Sequence, residues 1–257
     1  MTPQSSPHAP ACRRRAIRVT RATRVAAAAA LWSLPLTAFA PAETATQPAS
    51  QAKFVSVFTD QFAGDSLNPA DWVVFDGPGP RSARNVHVRN GKLILTTRKL
   101  DGQWMAAGVG SNRAVVQTYG KYEARVKVER GQGVRAVALL WPSAPVWPPE
   151  VDFFEIDDPA RETNQLTLHY PPNNQMIHAS VQSHFCKWHT VGVEWTPTAL
   201  NYTLDGRVVS TMNAHIPNIP MWMGLQSGMM GGGQAPGHGT PKRVHYKVGW
   251  VRIWGLA

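Results

Sequence analysis

Residues 122–129 read Tyr-Glu-Ala-Arg-Val-Lys-Val-Glu, so apolar and charged side chains alternate along them. Side chains of a β-strand point to opposite faces in turn, and this alternation predicts a strand with one face in a core and the other in solvent. The next run, residues 134–141, is mostly apolar and predicts a central strand covered on both faces.

Turn residues separate further short strands. Asn90-Gly91 and Asp205-Gly206 are pairs that favour two-residue hairpin turns. Strands are predicted next to these pairs and later in the chain, at residues 92–98, 189–195, 201–204, 207–211 and 242–254. Short strands at close spacing, with little helical periodicity, predict an all-β domain built as a two-sheet sandwich or jelly roll.

The beginning of the chain has a different composition. Six of the 26 basic residues are arginines within the first 24 positions, and residues 25–39 form an apolar, alanine-rich run. Residues 1–40 are therefore interpreted as a signal peptide that ends at the small-x-small site Ala38-Phe39-Ala40. The paired arginines suit either the general secretory or the twin-arginine route, to the periplasm or the medium. An uncleaved membrane anchor is the alternative interpretation.

The composition of the remaining residues indicates the domain organisation and limits the possible partners of the protein. Residues 41–52 are predicted to be a flexible spacer and residues 53–257 one catalytic domain. Removing the six leader arginines lowers the net charge from +10 to +4, and no basic patch follows, so neither nucleic acid nor a membrane is expected as a partner of the mature protein. Cys186 is then the single cysteine, which excludes an internal disulfide and a cysteine-rich zinc site.

Three acids lie close together at Glu150-Val151-Asp152-Phe153-Phe154-Glu155. Glu150 and Asp152 share a face of a regular strand, whereas Glu155 falls on the other face. A one-residue β-bulge near Phe153-Phe154 would bring all three acids into one cleft. A solvated acidic strand or a calcium site is the alternative, although the apolar neighbours favour burial of the opposite face.

The spacing of the glutamates suggests a reaction class. With the bulge, their Cα atoms would be roughly 13 Å apart, and side chains leaning towards each other would leave roughly 5–6 Å between the carboxylates. That separation is typical of glycosidases that retain anomeric configuration, since inverting enzymes need about 6.5–9.5 Å. Asp152, lying between them, could hydrogen-bond one glutamate and separate the two pKa values.

The acidic stretch resembles the E-[I/V]-D-x-x-E signature of glycoside hydrolase family 16, the laminarinase, lichenase and agarase group. Other segments agree with the family from about Phe58 to Trp254. These are Tyr119-Gly120-Lys121-Tyr122-Glu123-Ala124-Arg125, Trp188-His189-Thr190 through Glu194-Trp195-Thr196-Pro197, Leu204-Asp205-Gly206, and the closing strand from Gly249.

The resemblance implies a concanavalin A-like β-sandwich jelly roll of two antiparallel sheets, with the cleft on its concave sheet. It implies that Glu150 is the nucleophile, Glu155 the general acid/base and Asp152 an assisting acid. Thr167-Leu168-His169 resembles the family's T-x-H. His169 is therefore expected either to contact the acid/base or the sugar, or to be a structural histidine.

Aromatic side chains are expected to bind the sugar, because the apolar faces of pyranose rings stack on tryptophan. Trp141, Trp147 and Trp222 are the candidate platforms, with a place in the core as the alternative for each. Gln226 would share a face with Trp222 on a regular strand. The core is the expected place of Trp195, Trp250 and Trp254. The segment 228–239 is too glycine-rich for a regular strand, and is expected to be either a loop that gates the cleft or a loop without function.

The sequence departs from the resembled family at two places. Trp147-Pro148-Pro149 leads straight into Glu150, where many relatives have a longer approach that ends in glycine. Gly249 stands where many relatives carry an acid that helps to bind a structural calcium, so we expect neither a metal nor another cofactor.

These patterns together predict a monomeric, endo-acting hydrolase of a β-linked polysaccharide, with β-1,3 or mixed β-1,3/1,4 glucan as the default. A transglycosylase on the same scaffold and a non-catalytic carbohydrate-binding protein are the alternatives. The presence of both glutamates argues against the second of these.

Overall fold

The computed structural model describes residues 52–77 and 79–257. The predicted signal peptide and nearly all of the predicted spacer lie outside the described residues. Within the described part, the chain forms strands and two 3-10 helices, Ala83–Asn85 and Gly232–Gln234. No helix in those residues has the length and apolarity to cross a bilayer. The prediction of an all-β domain is confirmed.

The strands are numbered in chain order. They are β1 (Phe54–Asp60), β2 (Val73–Val74), β3 (Val86–Val88), β4 (Leu93–Leu100), β5 (Gln103–Met105), β6 (Gly108–Gly110), β7 (Gly120–Val128), β8 (Val134–Pro142), β9 (Glu150–Ile156), β10 (Thr163–Tyr170), β11 (Gln175–Gln182), β12 (His189–Trp195), β13 (Leu200–Leu204), β14 (Arg207–Met212), β15 (Met221–Met229) and β16 (Arg243–Leu256).

The strands form two antiparallel sheets that pack face to face as a jelly roll. One sheet has the order β14-β13-β12-β7-β16-β4-β3, with β1 also paired to β16 and β5 to β4. The other has the order β11-β10-β9-β8-β15-β6-β2. In both sheets, some neighbouring strands are far apart in the chain. β9 lies near the middle of its sheet, between β8 and β10.

The core lies between the sheets and follows the predicted alternation. On β7 the apolar members of the quoted stretch are at most 1% exposed, whereas Arg125 and Lys127 are partly exposed on the outer face. The facing sheet contributes apolar side chains of β8, β9 and β10. Burial of these apolar faces is the main force that holds the two sheets together.

Both predicted hairpin turns are present. Asn90 and Gly91 have φ values of 52° and 65°, and they join β3 to β4. Asp205 and Gly206 have φ values of 50° and 78°, and they join β13 to β14. Two successive residues with positive φ are what a type I′ turn requires, and asparagine, aspartate and glycine tolerate that conformation.

The prediction that Trp250 and Trp254 lie in the core is wrong. The register of β16 against β7 shifts between Val248 and Trp250, so Gly249 is an extra, bulged residue. The bulge reverses which side chains point inwards, and Val251 and Ile253 take the buried positions. Trp250 lies on the outer face under the Arg252 guanidinium, 4.3 Å from the ring centroid.

Trp195 follows the prediction, and the glycine-rich segment is partly a regular strand. Trp195 is fully buried, as predicted. β15 continues through Gly228 to Met229, further than the glycine content suggested. Beyond it, the Met230 N–H donates to the carbonyl oxygen of Gly133 at 2.8 Å. The segment therefore packs against the start of β8.

Candidate active site

A β-bulge on β9 organises the acidic residues. Against β8, Ala138 pairs with Phe154 while the next residue, Leu139, pairs with Asp152, so Phe153 is the extra residue. The register against β10 shifts at the same place. Phe153 and Phe154 are both fully buried. The predicted bulge is confirmed, and it is the reason that Glu155 shares a face with Asp152.

Asn164 on β10 holds the bulge in place. Its side-chain Oδ1 accepts a hydrogen bond of 2.8 Å from the Glu155 N–H, and its Nδ2 donates to the Phe153 carbonyl oxygen at 3.4 Å. A bulge disturbs the regular ladder, so a side-chain amide is well suited to satisfy the groups beside it. Asn164 is 2% exposed, which makes these bonds part of the interior.

The three acids line one open cleft of about 260 Å³ on the outer face of the β9 sheet. His169 on β10 and Gln226 on β15, both predicted to bind substrate, line the same cleft. Arg135, Gln165 and Thr167 also contribute, as do Met176 and His178 from β11. The structure thus brings Glu150, Asp152, Glu155, His169 and Gln226 together.

Asp152 and His169 form a close pair on the cleft floor. His169 Nε2 lies 3.2 Å from Asp152 Oδ2, and its Nδ1 lies 2.7 Å from Asn174 Oδ1. The hydrogen bond to Asp152 raises the pKa of His169 to about 9. Burial raises the pKa of Asp152 to about 7, with a further contribution from the charges of Glu150 and Glu155. His169 therefore contacts the middle acid, whereas Asp152 was expected to bond a glutamate.

Glu155 occupies a more enclosed position than a surface acid. Its side chain is 20% exposed, and the Arg135 NH1 group donates to its Oε1 at 3.3 Å. Burial raises the pKa of Glu155, while the positive charge of Arg135 opposes the change. A carboxyl group with a raised pKa holds its proton closer to neutral pH, as a general acid requires.

Two stacked indole rings lie next to Glu150, beside the residues that line the cleft. Trp147 Nε1 donates to Glu150 Oε2 at 2.8 Å. The Trp147 and Trp141 rings are stacked with their centroids 6.4 Å apart and an interplanar angle of 17°, and the His169 ring lies 5.9 Å from Trp147. Trp147 is 46% exposed, which leaves indole surface for a sugar.

Trp222 lies on β15, one strand further from β9 than Trp141 on β8. It pairs with Trp141 across β8 and β15, and Gln226 lies on the same face of the regular strand, as predicted. A Cβ atom on Gly110 would lie 2.8 Å from the Trp222 ring, so only glycine at that position allows the ring to lie against β6. Phe75 meets the same ring edge to face at 6.2 Å between centroids.

Several side chains of the site escaped the sequence analysis. Arg135 had a detectable signal, because it is the charged residue within the apolar run 134–141. Asn164 and Arg81 had none, since each acts on residues of another strand. Arg81 NH2 donates to Gln226 Oε1 at 2.5 Å across 145 positions of the chain.

Gly249, where many relatives of the resembled family carry an acid, has a structural place of its own. Gly249 forms the bulge of β16 beside Trp188, whose ring would lie 3.4 Å from an added Cβ. Among residues 52–77 and 79–257, no group of three His, Cys, Asp or Glu side chains is arranged to hold a metal ion. That the protein works without calcium or another cofactor stays a prediction.

The two-sheet jelly roll and the cleft with two glutamates and an aspartate on one strand define a protein of the glycoside hydrolase class. The sequence model of Glycosyl hydrolases family 16 matches residues 80–252, which is more than half of the chain. The chain belongs to that family.

Curated relatives and solved structures agree with this assignment. A beta-glucanase of Acetivibrio thermocellus is 26% identical over 201 residues, covering 73% of this chain and 58% of the relative. The endo-1,3-1,4-beta-glycanase ExsH of Rhizobium meliloti is 24% identical over 203 residues, covering 72% of this chain and 43% of the relative. The chain thus spans about half the length of these curated relatives.

Solved structures share the fold at lower identity. The catalytic domain of an endo-1,3-beta-glucanase (laminarinase) from Thermotoga petrophila RKU-1 has a TM-score of 0.72 at 18% identity, over 80% of this chain and 99% of that one. The endo-beta-1,3-glucanase from Pyrococcus furiosus has a TM-score of 0.73 at 18% identity, over 81% and 97%. These likenesses show the jelly-roll fold.

Proposed function

We propose that the protein is an endo-acting hydrolase of a β-linked glucan with β-1,3 or mixed β-1,3/1,4 linkages, and that it retains anomeric configuration. The observation that carries this proposal is the β9 bulge, which places Glu150 and Glu155 in one cleft on either side of Asp152. The names of the curated relatives support a glucan as substrate.

Glu150 is the nucleophile in this proposal. Its carboxylate attacks the anomeric carbon, the bond to the leaving oxygen breaks, and that oxygen takes a proton from Glu155. Glu155 then accepts a proton from water, the water attacks the anomeric carbon, and Glu150 is released. The hydrogen bond from Trp147 holds the Glu150 carboxylate beside a surface on which a sugar ring can stack.

The buried pair of Asp152 and His169 has a positioning role in this scheme. Asp152 lies between the glutamates and is 3% exposed, and burial together with the charges of both glutamates raises its pKa. Sharing a proton with His169 limits the negative charge in the centre of the cleft. In addition to burial, the charge of an ionised Glu150 raises the pKa of Glu155, whereas the positive charge of His169 lowers it.

Azide rescue tests the two glutamate roles separately. Glu150→Ala should lose activity on a glucoside with an activated leaving group, and azide should restore turnover with a glycosyl azide of inverted configuration. Glu155→Ala should also lose activity on the polysaccharide. With azide and an activated substrate, it should give a glycosyl azide of retained configuration, because azide then attacks the covalent intermediate.

The control variant is Glu162→Ala, which removes a half-exposed acid of the loop between β9 and β10. It should keep activity close to that of the wild type. Exchanged stereochemistry between the two azide products would reverse the assigned roles. Full activity of Glu150→Ala would disprove the proposed nucleophile.

A reducing-end assay of residues 41–257 on laminarin, lichenan, barley β-glucan, agarose, carrageenan and xyloglucan identifies the substrate. We expect short oligosaccharides from a β-1,3 or mixed-linkage glucan. When an oligosaccharide is used as the substrate, products longer than that oligosaccharide would identify a transglycosylase. Binding without any product would identify a carbohydrate-binding protein.

We also propose that the chain is exported, because residues 1–40 have the composition of a signal peptide. Expression of the full chain followed by N-terminal sequencing checks this proposal. A secreted protein that begins at Pro41 is expected, whereas a membrane-bound product with an intact beginning would indicate an anchor.

A further inference from the structure

Arg81 lies on a rigid piece of backbone at the edge of the cleft sheet. The Ala106 N–H donates to the Pro80 carbonyl oxygen at 2.7 Å, and the Ser82 N–H donates to the Ala106 carbonyl oxygen at 3.0 Å. Arg81 is thereby held between two backbone hydrogen bonds. Its side chain crosses Gly108, where an added Cβ would come within 3.3 Å of the Arg81 Cδ.

The guanidinium separates two cavities. On one side its NH2 group bonds Gln226, which lines the cleft of the three acids. On the other side Arg81 lines a depression of about 220 Å³, together with Phe75, Asp76, Gly77, Gly79 and Pro80. That volume is sufficient for a substituent of a sugar ring beside the cleft.

The positive charge of Arg81 is not balanced by a neighbouring acid. Among residues 52–77 and 79–257, no Asp or Glu forms an ion pair with Arg81. Asp76 accepts a hydrogen bond from the Ala83 N–H instead. The Arg81 Nε is buried and has no hydrogen-bond partner in the same part of the chain.

A second cation on the same side adds to this imbalance. Burial and the charge of Arg135 both lower the pKa of Arg81. Arg135 is balanced by Glu155, but only while Glu155 is ionised. When Glu155 carries the proton that the proposed reaction needs, neither Arg81 nor Arg135 has an ionised carboxylate as an ion-pair partner among the described residues. Keeping such charges partly buried is costly unless an anion joins them.

We propose that Arg81 and the depression beside it form a subsite for an oxyanion substituent of the polysaccharide, so that a β-glucan carrying such substituents is preferred to the unsubstituted β-glucan. This inference rests on the proposed function. The planar fork of a guanidinium donates two parallel hydrogen bonds to a carboxylate or a sulfate. Phe75, 5.9 Å from the guanidinium carbon, provides an apolar surface for the rest of the substituent.

The test uses one glucan in four forms: untreated, partly oxidised to carboxylates at C6, the methyl ester of that product, and partly sulfated. The measured quantity is the ratio of kcat/KM for each derivative to that for the untreated glucan. The wild-type protein should prefer an anionic form to the neutral ester, and added salt should weaken the preference. Arg81→Gln should lower the kcat/KM ratio of the preferred anionic form about 10- to 100-fold, the usual effect of hydrogen bonds to a charged group.

Arg84→Gln is the matched control, because Arg84 is exposed and forms a surface ion pair with Asp101. It should leave the ratio within about twofold. Arg81→Lys keeps the charge but not the fork, so it should recover part of the loss. Thermal unfolding of both Arg81 variants separates misfolding from lost recognition.

Each result either supports or overturns the proposed anion subsite at Arg81. A selective loss for the carboxylated or for the sulfated form identifies the anion. An unchanged ratio in Arg81→Gln, or a wild-type protein that does not distinguish acid from ester, overturns the subsite. Hydrolysis of the untreated glucan that Glu150→Ala abolishes would then still uphold the proposed function, whereas no hydrolysis of any form would end both proposals.

Discussion

The bulge on β9 depends on one side chain, and removing that side chain is the most direct test of how the site is built. In Asn164→Ala the Glu155 N–H loses its 2.8 Å hydrogen bond and the Phe153 carbonyl oxygen loses a weaker one of 3.4 Å. Both groups are in the interior, beside side chains that are fully buried. Water cannot replace Asn164 without opening the packed strands.

The expected effect follows from these two bonds. A buried donor left without a partner costs about 1–3 kcal/mol, and the strong 2.8 Å bond accounts for most of it. For a domain of this size, each kcal/mol lowers the melting temperature by about 2–4 °C. Asn164→Ala should therefore lose about 1–3 kcal/mol of the free energy of unfolding.

Activity should fall by a separate route. Without the clamp, the Glu155 carboxylate is less well positioned above the cleft, so kcat should fall by about tenfold or more while KM changes little. Denaturant unfolding gives the stability, and a reducing-end assay gives kcat and KM. Thr163→Ala is the control, because the neighbouring Thr163 makes its side-chain bond with Gln182 at the exposed end of the strand.

Two results would refute this reasoning. A loss below about 0.5 kcal/mol in Asn164→Ala, the range of ordinary surface substitutions, would show that the bulge is held by the ladder alone. An equal fall in kcat for Asn164→Ala and Thr163→Ala would show that Glu155 does not depend on this clamp.

Three further predictions concern other parts of the site. Trp147→Phe keeps an aromatic ring but removes the bond to Glu150, so kcat/KM should fall about tenfold or more in steady-state assays. Because the folded pKa of His169 is raised to about 9 and that of Asp152 to about 7, both groups stabilise the fold when protonated. The melting temperature should therefore fall as pH rises from about 5 to 9, and His169→Asn should flatten the part of the curve above pH 7. Arg161 is fully buried and donates to four backbone carbonyl oxygens, two at the end of β9 and two between β7 and β8. Arg161→Ala should lower the free energy of unfolding by at least about 3 kcal/mol in denaturant unfolding, and a smaller loss would contradict this bracing role.

The position of Trp250 shows where local patterns stop being informative. Alternation along the end of the chain places this ring inside, and the extra residue Gly249 places it outside. An extra residue on β9 has the same effect. Regular alternation would turn Glu155 away from Asp152, and the bulge at Phe153 brings the two side chains to one face. The bulge on β9 was predicted because three acids in an apolar strand need a common cleft. Nothing in the residues around Gly249 required a bulge on β16.

Local sequence patterns predicted the two hairpin turns, the acidic motif and the strands β4, β7, β8, β9, β12, β13, β14 and β16. Each of these depends on residues within a few positions of one another, through the two-residue period of a strand and the φ preferences of Asn, Asp and Gly. The family resemblance added the jelly roll of two antiparallel sheets, and the observed strand pairing confirms it.

Tertiary structure decided which side chains meet around those acids. Asn164 reaches Glu155 from the neighbouring strand, His169 reaches Asp152, and Arg81 reaches Gln226 from the opposite edge of the sheet. These contacts depend on strand order and register, which join residues as far as 145 positions apart. Hydrogen bonds act over about 3 Å, so partners of this kind are recognisable only after the sheets have assembled.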